Sequence, residues 1–381
     1  MKKANQEETR QHNRRLVFNL IYQQGEISRV EIARQTRLTR TTVSEIVAEL
    51  IEAELVVETG MAASTGGKPA TLLQVVQDAR LLIGIDLAER EFCGALVDLR
   101  GQIVQRLCLP VAESSAEAAL EQVYNLVAQL LYLADRPVIG IGIGVPGLMD
   151  PERARVREAV NLDWHDLPLG DLLRQRFELP IHLANDCQAA ALGEYIFGDQ
   201  RERANLLVIK AGRGVGAGLV LNGQIFYGDD AGAGEIGHIQ VDADGDLCRC
   251  GNVGCLETIA STRALLHHAQ ELDLAVVDFE AFLREVENGN SRLLPLIENA
   301  AQALGGAVKH LVSALNIHQI LIAGSLSRLG DTLLDPLRQS LPGGVLPALV
   351  QHTEIDLAVL GDEIVILGAA SLVLKQELGL F

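Results

Sequence analysis

The sequence predicts an α/β protein with a small helical head and a larger body in which helices alternate with covered, largely parallel sheets. Three observations carry this. Apolar residues near the start recur at helical spacing, first Leu16, Val17, Leu20 and Ile21 and then Val43, Ile46, Val47, Leu50 and Ile51. From Leu81 onward, short apolar runs separated by turn signals alternate with helical stretches to the end of the chain. The 381 residues, 48% of them apolar, exceed what one ordinary core holds. Residues 1–77 are read as the head, 78–198 as a first lobe and 199–363 as a second, with a last helix at about 364–381 returning to the first lobe.

In the head, a first helix over about 12–24 ends at Gly25. Ser28 then precedes Arg29-Val30-Glu31, an N-cap with a glutamate at the third helical position, the pattern of a capping box. That helix runs to Thr36, a short turn follows at Arg37-Leu38, and Thr39 caps the next helix. Two short helices joined by a tight turn form a helix-turn-helix, whose second helix would set polar N-terminal residues against base edges. Leu55 to Gly60 and Ala70 to Val75 then read as two strands of a wing, with Gly66-Gly67-Lys68-Pro69 at its tip. The residues expected to meet DNA are Ser28, Arg29, Thr39, Arg40, Thr41, Thr42, Ser44 and Lys68. A solvated loop lysine is the alternative for Lys68.

The net charge of −18 speaks against nucleic acid only as an average. Residues 10–40 hold seven arginines against two glutamates, and DNA meets a surface. A three-helix protein-interaction module would share the helical pattern, but not the arginine-rich first two helices and the hydroxyl-rich start of the third. Glu45, Glu49, Glu52, Glu54 and Glu58 cannot face phosphate, and are expected toward solvent, the body or a second subunit.

The body opens with Leu81 to Leu87, followed by Phe92 to Val97 and Ile103 to Leu109 at hairpin spacing. A helix over 116–133, a buried strand from Val138 to Val145 and a last helix at about 364–377 follow. An opening three-strand meander is unusual for a simple dinucleotide-binding fold. It suits the two-lobed actin-like, ribonuclease-H-like architecture with a cleft between the lobes. No run of eighteen apolar residues occurs, and Met1-Lys2-Lys3 leads into polar residues, so a cytoplasmic protein with no membrane partner is expected. Cys93, Cys108 and Cys187 sit in apolar stretches and are read as small buried residues.

The strongest chemical signal is Gly234-Glu235-Ile236-Gly237-His238, nine residues, and then Cys248-Arg249-Cys250-Gly251-Asn252-Val253-Gly254-Cys255-Leu256-Glu257. One imidazole and three thiolates, His238, Cys248, Cys250 and Cys255, make a complete tetrahedral zinc set with no position left for a catalytic water. The expected cofactor is therefore one structural Zn2+ per chain, with a redox pair as the main alternative for the cysteines. Asp186, in Leu183-Ala184-Asn185-Asp186-Cys187, lies where a strand gives way to a helix. It is either a carboxylate facing a ligand or an N-cap. Lys210 to Gly218 is a glycine-rich hairpin that either offers N–H groups to a phosphate or holds no ligand. Gly324-Ser325 is a weaker signal for approach to a nucleotide.

Together these segments resemble the ROK family of repressors, open reading frames and sugar kinases, over nearly the whole chain. The block from Glu235 to Glu257 carries the family signature, supported by Gly142 to Gly147, Asn161-Leu162-Asp163-Trp164, and Asn185-Asp186 followed by Ala189 to Glu194. The winged head places the chain with the repressor branch. The resemblance implies that Asn161, Asn185, Asp186, Glu235, His238 and Glu257 line a sugar site, with His238 also on zinc and Asp186 a vestigial kinase base. The family's kinases carry Asp-x-Gly-Gly-Thr at the end of the first strand, where backbone N–H groups meet ATP phosphates. Here that stretch is Asp86-Leu87-Ala88-Glu89-Arg90. Side chains replace both glycines and Glu89 adds negative charge, so ATP binding and kinase activity are expected to be lost while sugar binding is kept. The implied function is a sugar-responsive repressor of carbohydrate-metabolism genes. It would bind an inverted-repeat operator as a homodimer or dimer of dimers. A bifunctional DNA-binding kinase, or a regulator answering to a protein partner, are the alternatives.

Overall fold

A computed structural model describes residues 6–61, 70–88, 91–111, 115–198, 200, 203–274 and 276–381. In the head, α1 (Gln6–Gln24), β1 (Ile27–Ser28), α2 (Arg29–Thr36) and α3 (Arg40–Glu52) precede β2 (Val56–Met61) and β3 (Thr71–Val75). The sheet order is β1-β3-β2. Helix α1 starts earlier than its apolar pattern shows, because its first turns are polar. Arg10 in that extension pairs with Glu49 of α3.

Ser28 and Thr39 cap as expected, accepting from the backbone N–H of Glu31 at 3.3 Å and of Thr42 at 3.1 Å. The return half of the capping box is not what Glu31 makes. Its carboxylate takes hydrogen bonds from Arg34 and Gln35, one turn along the same helix, which hold it down at about 2.

The body contains two five-stranded sheets of one topology. The first is built from β4 (Leu81–Leu87), β5 (Glu91–Val97), β6 (Ile103–Pro110), β7 (Val138–Val145) and, after a small sheet of β8 (Leu148–Asp150), β9 (Arg155–Ala159) and β10 (Trp164–Leu167), β11 (Ile181–Asn185). Helices α4 (Ala116–Leu133) and α5 (Leu169–Phe177) interrupt it, and α6 (Asp186–Phe197) follows it. The second sheet comprises β12 (Asn205–Ala211), β13 (Val215–Leu221), β14 (Gln224–Ile225), β15 (Gln319–Ala323) and β16 (Glu354–Leu357). Its helices are α7 (Glu257–Ala260), α8 (Thr262–Glu271), α9 (Phe279–Glu287), α10 (Leu294–Leu315), α11 (Asp331–Ser340), α12 (Pro347–Val350) and α13 (Ile364–Glu377).

The strand orders are β11-β7-β4-β5-β6 and β14-β13-β12-β15-β16. In each, an antiparallel three-strand meander is extended by two parallel strands. The expected meander and two-lobed body are both present.

Each half ends in a helix, α6 and α13, and these two pack on one another. Helix α13 also covers β4 and β7 of the first sheet, while α6 lies on β12 and β13 of the second. The crossing is close because Gly368 lacks a side chain: a Cβ there would stand 1.8 Å from the carbonyl oxygen of Ala189.

Head and body share one apolar core. Val17, Phe18, Ile21 and Tyr22 of α1 pack in one cluster with Leu82, Val97 and Leu99 of the first lobe and with Ile366, Ala370, Val373 and Leu380 at the C-terminus. Buried Asp98 shapes the β5–β6 turn by accepting from the N–H groups of Arg100 and Gln102, both at 2.8 Å. That turn presents the Leu99 carbonyl to the Tyr22 hydroxyl at 2.7 Å and sets the Arg100 guanidinium 4.1 Å from the Tyr22 ring centre. Phe381 meets the same ring edge-on at 5.2 Å. Among the described residues no helix is long and apolar enough to cross a membrane.

A second sequence expectation is corrected. Cys93 and Cys108 are not separate core thiols but a disulfide. They stand directly opposite each other on β5 and β6, a register that the strand pattern alone does not give. Cys187 is a free buried thiol, as expected.

The joint between head and body is testable at Tyr22. Tyr22→Phe leaves the Leu99 carbonyl without its donor and should cost about 1–3 kcal/mol. Denaturant unfolding would show this, and limited proteolysis should cut the α1 region faster. Unchanged stability together with unchanged proteolysis would contradict this account of the joint.

Candidate functional site

The cleft floor forms where the opening strands of the two sheets end. Asp86 on β4 and Lys210 on β12 lie there, and Asp186 opens α6. The Lys210 ammonium donates to Asp186 Oδ2 at 2.7 Å, with the two side chains 24% and 15% exposed. Burial pushes Asp86 up from 3.8 to about 6; Lys210 opposes that shift and Asp186 adds to it. Burial alone would pull the Lys210 ammonium down, but Asp186 and Asp86 outweigh it and hold the side chain charged.

The helix is capped by Asn185, not Asp186. Asn185 Oδ1 accepts from the N–H groups of Cys187 at 2.8 Å and Gln188 at 3.3 Å, and its Nδ2 donates to the Gly147 carbonyl at 3.0 Å. Asp186 Oδ1 accepts from the Cys187 N–H at 2.9 Å, which leaves Oδ2 to meet Lys210.

Glu235 begins a short 3-10 turn, Ile236–His238, pressed against β13. Gly234, at φ +106°, allows the approach: a Cβ there would stand 1.9 Å from the Ala217 carbonyl oxygen. Glu235 is open to water on one side, yet the surrounding protein strips enough hydration to hold its carboxyl above the usual range. His238 lowers it, and Asp186 and Glu257 raise it. Glu257 is already engaged, accepting from the Val215 N–H and from Arg263, both at 3.1 Å. In the glycine-rich hairpin, the Val215 N–H is thus spent on Glu257 and that of Gly212 on the Gly214 carbonyl at 2.9 Å.

His238, Cys248, Cys250 and Cys255 come together with their ligand atoms within 4.8 Å of one another, a cluster able to hold a metal ion. Cys248 Sγ lies 3.7 Å from His238 Nδ1, and Cys250 Sγ lies 3.6 Å from Cys255 Sγ. A tetrahedral zinc ion with ordinary bond lengths sets S···N edges of roughly 3.6 Å and S···S edges of roughly 3.8 Å. The donor set and its spacing fit that ion. The pairing of Cys248 with Nδ1 leaves Nε2 of His238 on the other edge of the ring.

Asn161 is met from across the cleft, its Oδ1 accepting from Arg249, between two of the cluster cysteines, at 2.8 Å. A second crossing joins Arg157 of β9 to the Asp230 carbonyl at 3.1 Å. Neither crossing, nor the Lys210 ion pair, was anticipated. A lysine inside the otherwise apolar run Leu206 to Ala211 was the available signal for the last.

At the head, Thr39, Arg40, Thr41 and Ser44 are exposed at the start of α3, and Thr42 is half-buried by its Thr39 Oγ1 contact at 2.9 Å. Ser28 is occupied as a cap, and Arg29 is paired with Glu58 of the wing at 2.7 Å. The wing tip with Lys68, and Glu89 and Arg90 of the first-strand loop, lie outside the described residues.

Residues 82–376 match the ROK family, and residues 10–57 match a winged helix-turn-helix DNA-binding family. The xylose repressor of Caldicellulosiruptor bescii is 31% identical over 387 residues, covering 97% of each chain. A crystal structure of a ROK family transcriptional regulator, a homolog of the E. coli MLC protein, superposes with a TM-score of 0.87 at 27% identity, over 97% of this chain and 96% of that one. A ROK family glucokinase from Streptomyces griseus, solved with glucose and AMPPNP, superposes with a TM-score of 0.69 at 30% identity, over 77% of this chain and 98% of that one. The chain therefore belongs to the ROK family and carries a winged helix-turn-helix ahead of its kinase-like body.

Proposed function

We propose that this protein is a sugar-responsive transcriptional repressor acting in the cytoplasm. Its head, residues 1–77, reads an inverted-repeat operator as part of a homodimer or dimer of dimers. The lobes, 78–198 with the C-terminal helix and 199–363, hold a sugar between them, with Asn161, Asn185, Asp186, Glu235, His238 and Glu257 as its hydrogen-bonding groups. Zinc on His238, Cys248, Cys250 and Cys255 is structural, stapling the loop that joins Glu235 to Glu257.

The observation that carries this proposal is the continuity from cleft to head. Asn185 and Asp186 stand at the start of α6, α6 packs on α13, and the chain beyond α13 ends against Tyr22 of the head. A ligand that favours one arrangement of the lobes thereby biases the placement of the head. A tenfold effect on operator affinity needs about 1.4 kcal/mol of coupling. Phosphoryl transfer is disfavoured at the same place: Asp186 Oδ2, which would have to accept the sugar hydroxyl's proton, is already engaged by the Lys210 ammonium at 2.7 Å. The sequence of the first-strand loop points the same way.

A thermal-shift panel of glucose, xylose, N-acetylated sugars and sugar phosphates should show one class raising the melting temperature. Asp186→Asn should weaken binding of that sugar while the sugar-free protein still binds operator, giving a repressor deaf to inducer. Calorimetry beside an operator titration reads both, and full-strength sugar binding by Asp186→Asn would remove Asp186 from the site.

Metal analysis should give one zinc per chain, and Cys250→Ala should lower both stability and sugar response. Well under one zinc in protein purified without chelator would sink the assignment.

On the head, Arg40→Ala should cost about 1–3 kcal/mol of operator binding if it reads a base edge. Lys68→Ala should weaken binding evenly across sequences and reduce the salt slope by about one. Unchanged affinity in both variants would mean that another surface meets DNA.

A further inference from the structure

We propose that Lys210 is a built-in counter-cation, occupying the place in the cleft that a divalent metal ion would need and reserving the site for uncharged polyhydroxyl ligands over metal-bound phosphates. This rests on the cleft being a sugar receptor, and it adds a specificity-determining residue to it.

The two sheets share one strand order, so their opening strands are equivalent. Each has seven residues, and the sixth is Asp86 in β4 and Lys210 in β12. Both are charged positions in strands whose interiors are buried and apolar. Equivalent positions of the two halves thus bring opposite charges to the cleft floor. The third member, Asp186, stands at the start of α6 and bonds Lys210 at 2.7 Å. Asp86 lies within the electrostatic reach of both.

Two carboxylates converging in a partly buried cleft cannot both remain ionised without a cation. A free divalent ion would be the ordinary solution, taking oxygen ligands from both and from a phosphate. The ammonium of Lys210 supplies one positive charge instead, on a side chain tethered to the strand. It takes up a lone pair of Asp186 and repels a second cation. A phosphate arriving without its metal would face two carboxylates against one ammonium. An uncharged hydroxyl meets no such penalty, because an ammonium has three donors and Asp186 accounts for one in the contact at 2.7 Å.

The test is Mn2+ binding to the full-length, zinc-loaded protein, followed by electron paramagnetic resonance. An acidic chain binds some Mn2+ on its surface, so differences between variants are the readout. The wild-type protein should show only a background that Asp86→Asn does not change. Lys210→Met should gain one site at least about tenfold tighter than that background, and Lys210→Met combined with Asp86→Asn should lose it. Lys210→Arg, which keeps the charge, should stay at background. No gain in Lys210→Met overturns the proposal.

If Lys210→Met does not fold, the comparison of the wild type with Asp86→Asn still decides. A loss of Mn2+ on removing Asp86 would show that the cleft already takes a metal, and the proposal fails. Failure of the receptor function would be seen separately, as no sugar in the thermal-shift panel raising the melting temperature, whatever the Mn2+ result.

Discussion

The rest of the molecule hangs on the crossing of α6 and α13. These helices end the two halves of a duplicated topology, and each lies against the sheet of the other half. The crossing can be close because Gly368 admits the Ala189 carbonyl. An added methyl group would have to push the two helices apart, and with them the two sheets. Buried and nearly inextensible, the pair fixes the cleft floor at one end, through Asn185 and Asp186. At the other end it supports the C-terminal residues on which Tyr22 is seated.

The cleft built on this crossing is a balance of charges more than a cavity. Asp186 and Lys210 meet at its floor, with Asp86 within their electrostatic reach, and each charge there would be costly alone. The carboxylates on the second lobe divide by environment. Glu257 is committed to Val215 and Arg263, while Glu235 is left with a raised proton affinity and an open side. The three carboxylates thus differ in kind: one is a fixed acceptor, one is tied to an ammonium, and one holds its proton more tightly than usual.

The cysteine loop ties this chemistry to the lobe opposite. Arg249, held between Cys248 and Cys250, reaches Asn161, and Arg157 reaches the Asp230 carbonyl. Both crossings are polar contacts between surface side chains of lobes whose cores lie elsewhere. Exposed pairs of this kind contribute little to stability, so they can set the relative pose of the lobes without locking it. The head is the opposite case. It is sealed to the body by a shared apolar core, with little freedom to move independently of its support.

Local patterns determined much of this protein from the sequence alone. Helical periodicity, the caps at Ser28 and Thr39, the opening meander and the spacing of His238, Cys248, Cys250 and Cys255 are set by residues close in the chain. Their physics is short-range: a cap needs a hydroxyl three residues from an N–H, and a metal loop needs a tight turn. The tertiary structure alone decided what depends on register and on charges far apart in sequence. The Cys93–Cys108 bond requires β5 and β6 to pair with those two residues opposite. The capture of Asp186 by Lys210 and of Asn161 by Arg249 requires two lobes to face each other across a cleft. A lysine in a buried strand announces that a partner exists, since an unpaired buried ammonium is too costly to keep. Which carboxylate answers it is settled by the packing of the two halves, because that packing brings side chains distant in sequence within bonding distance.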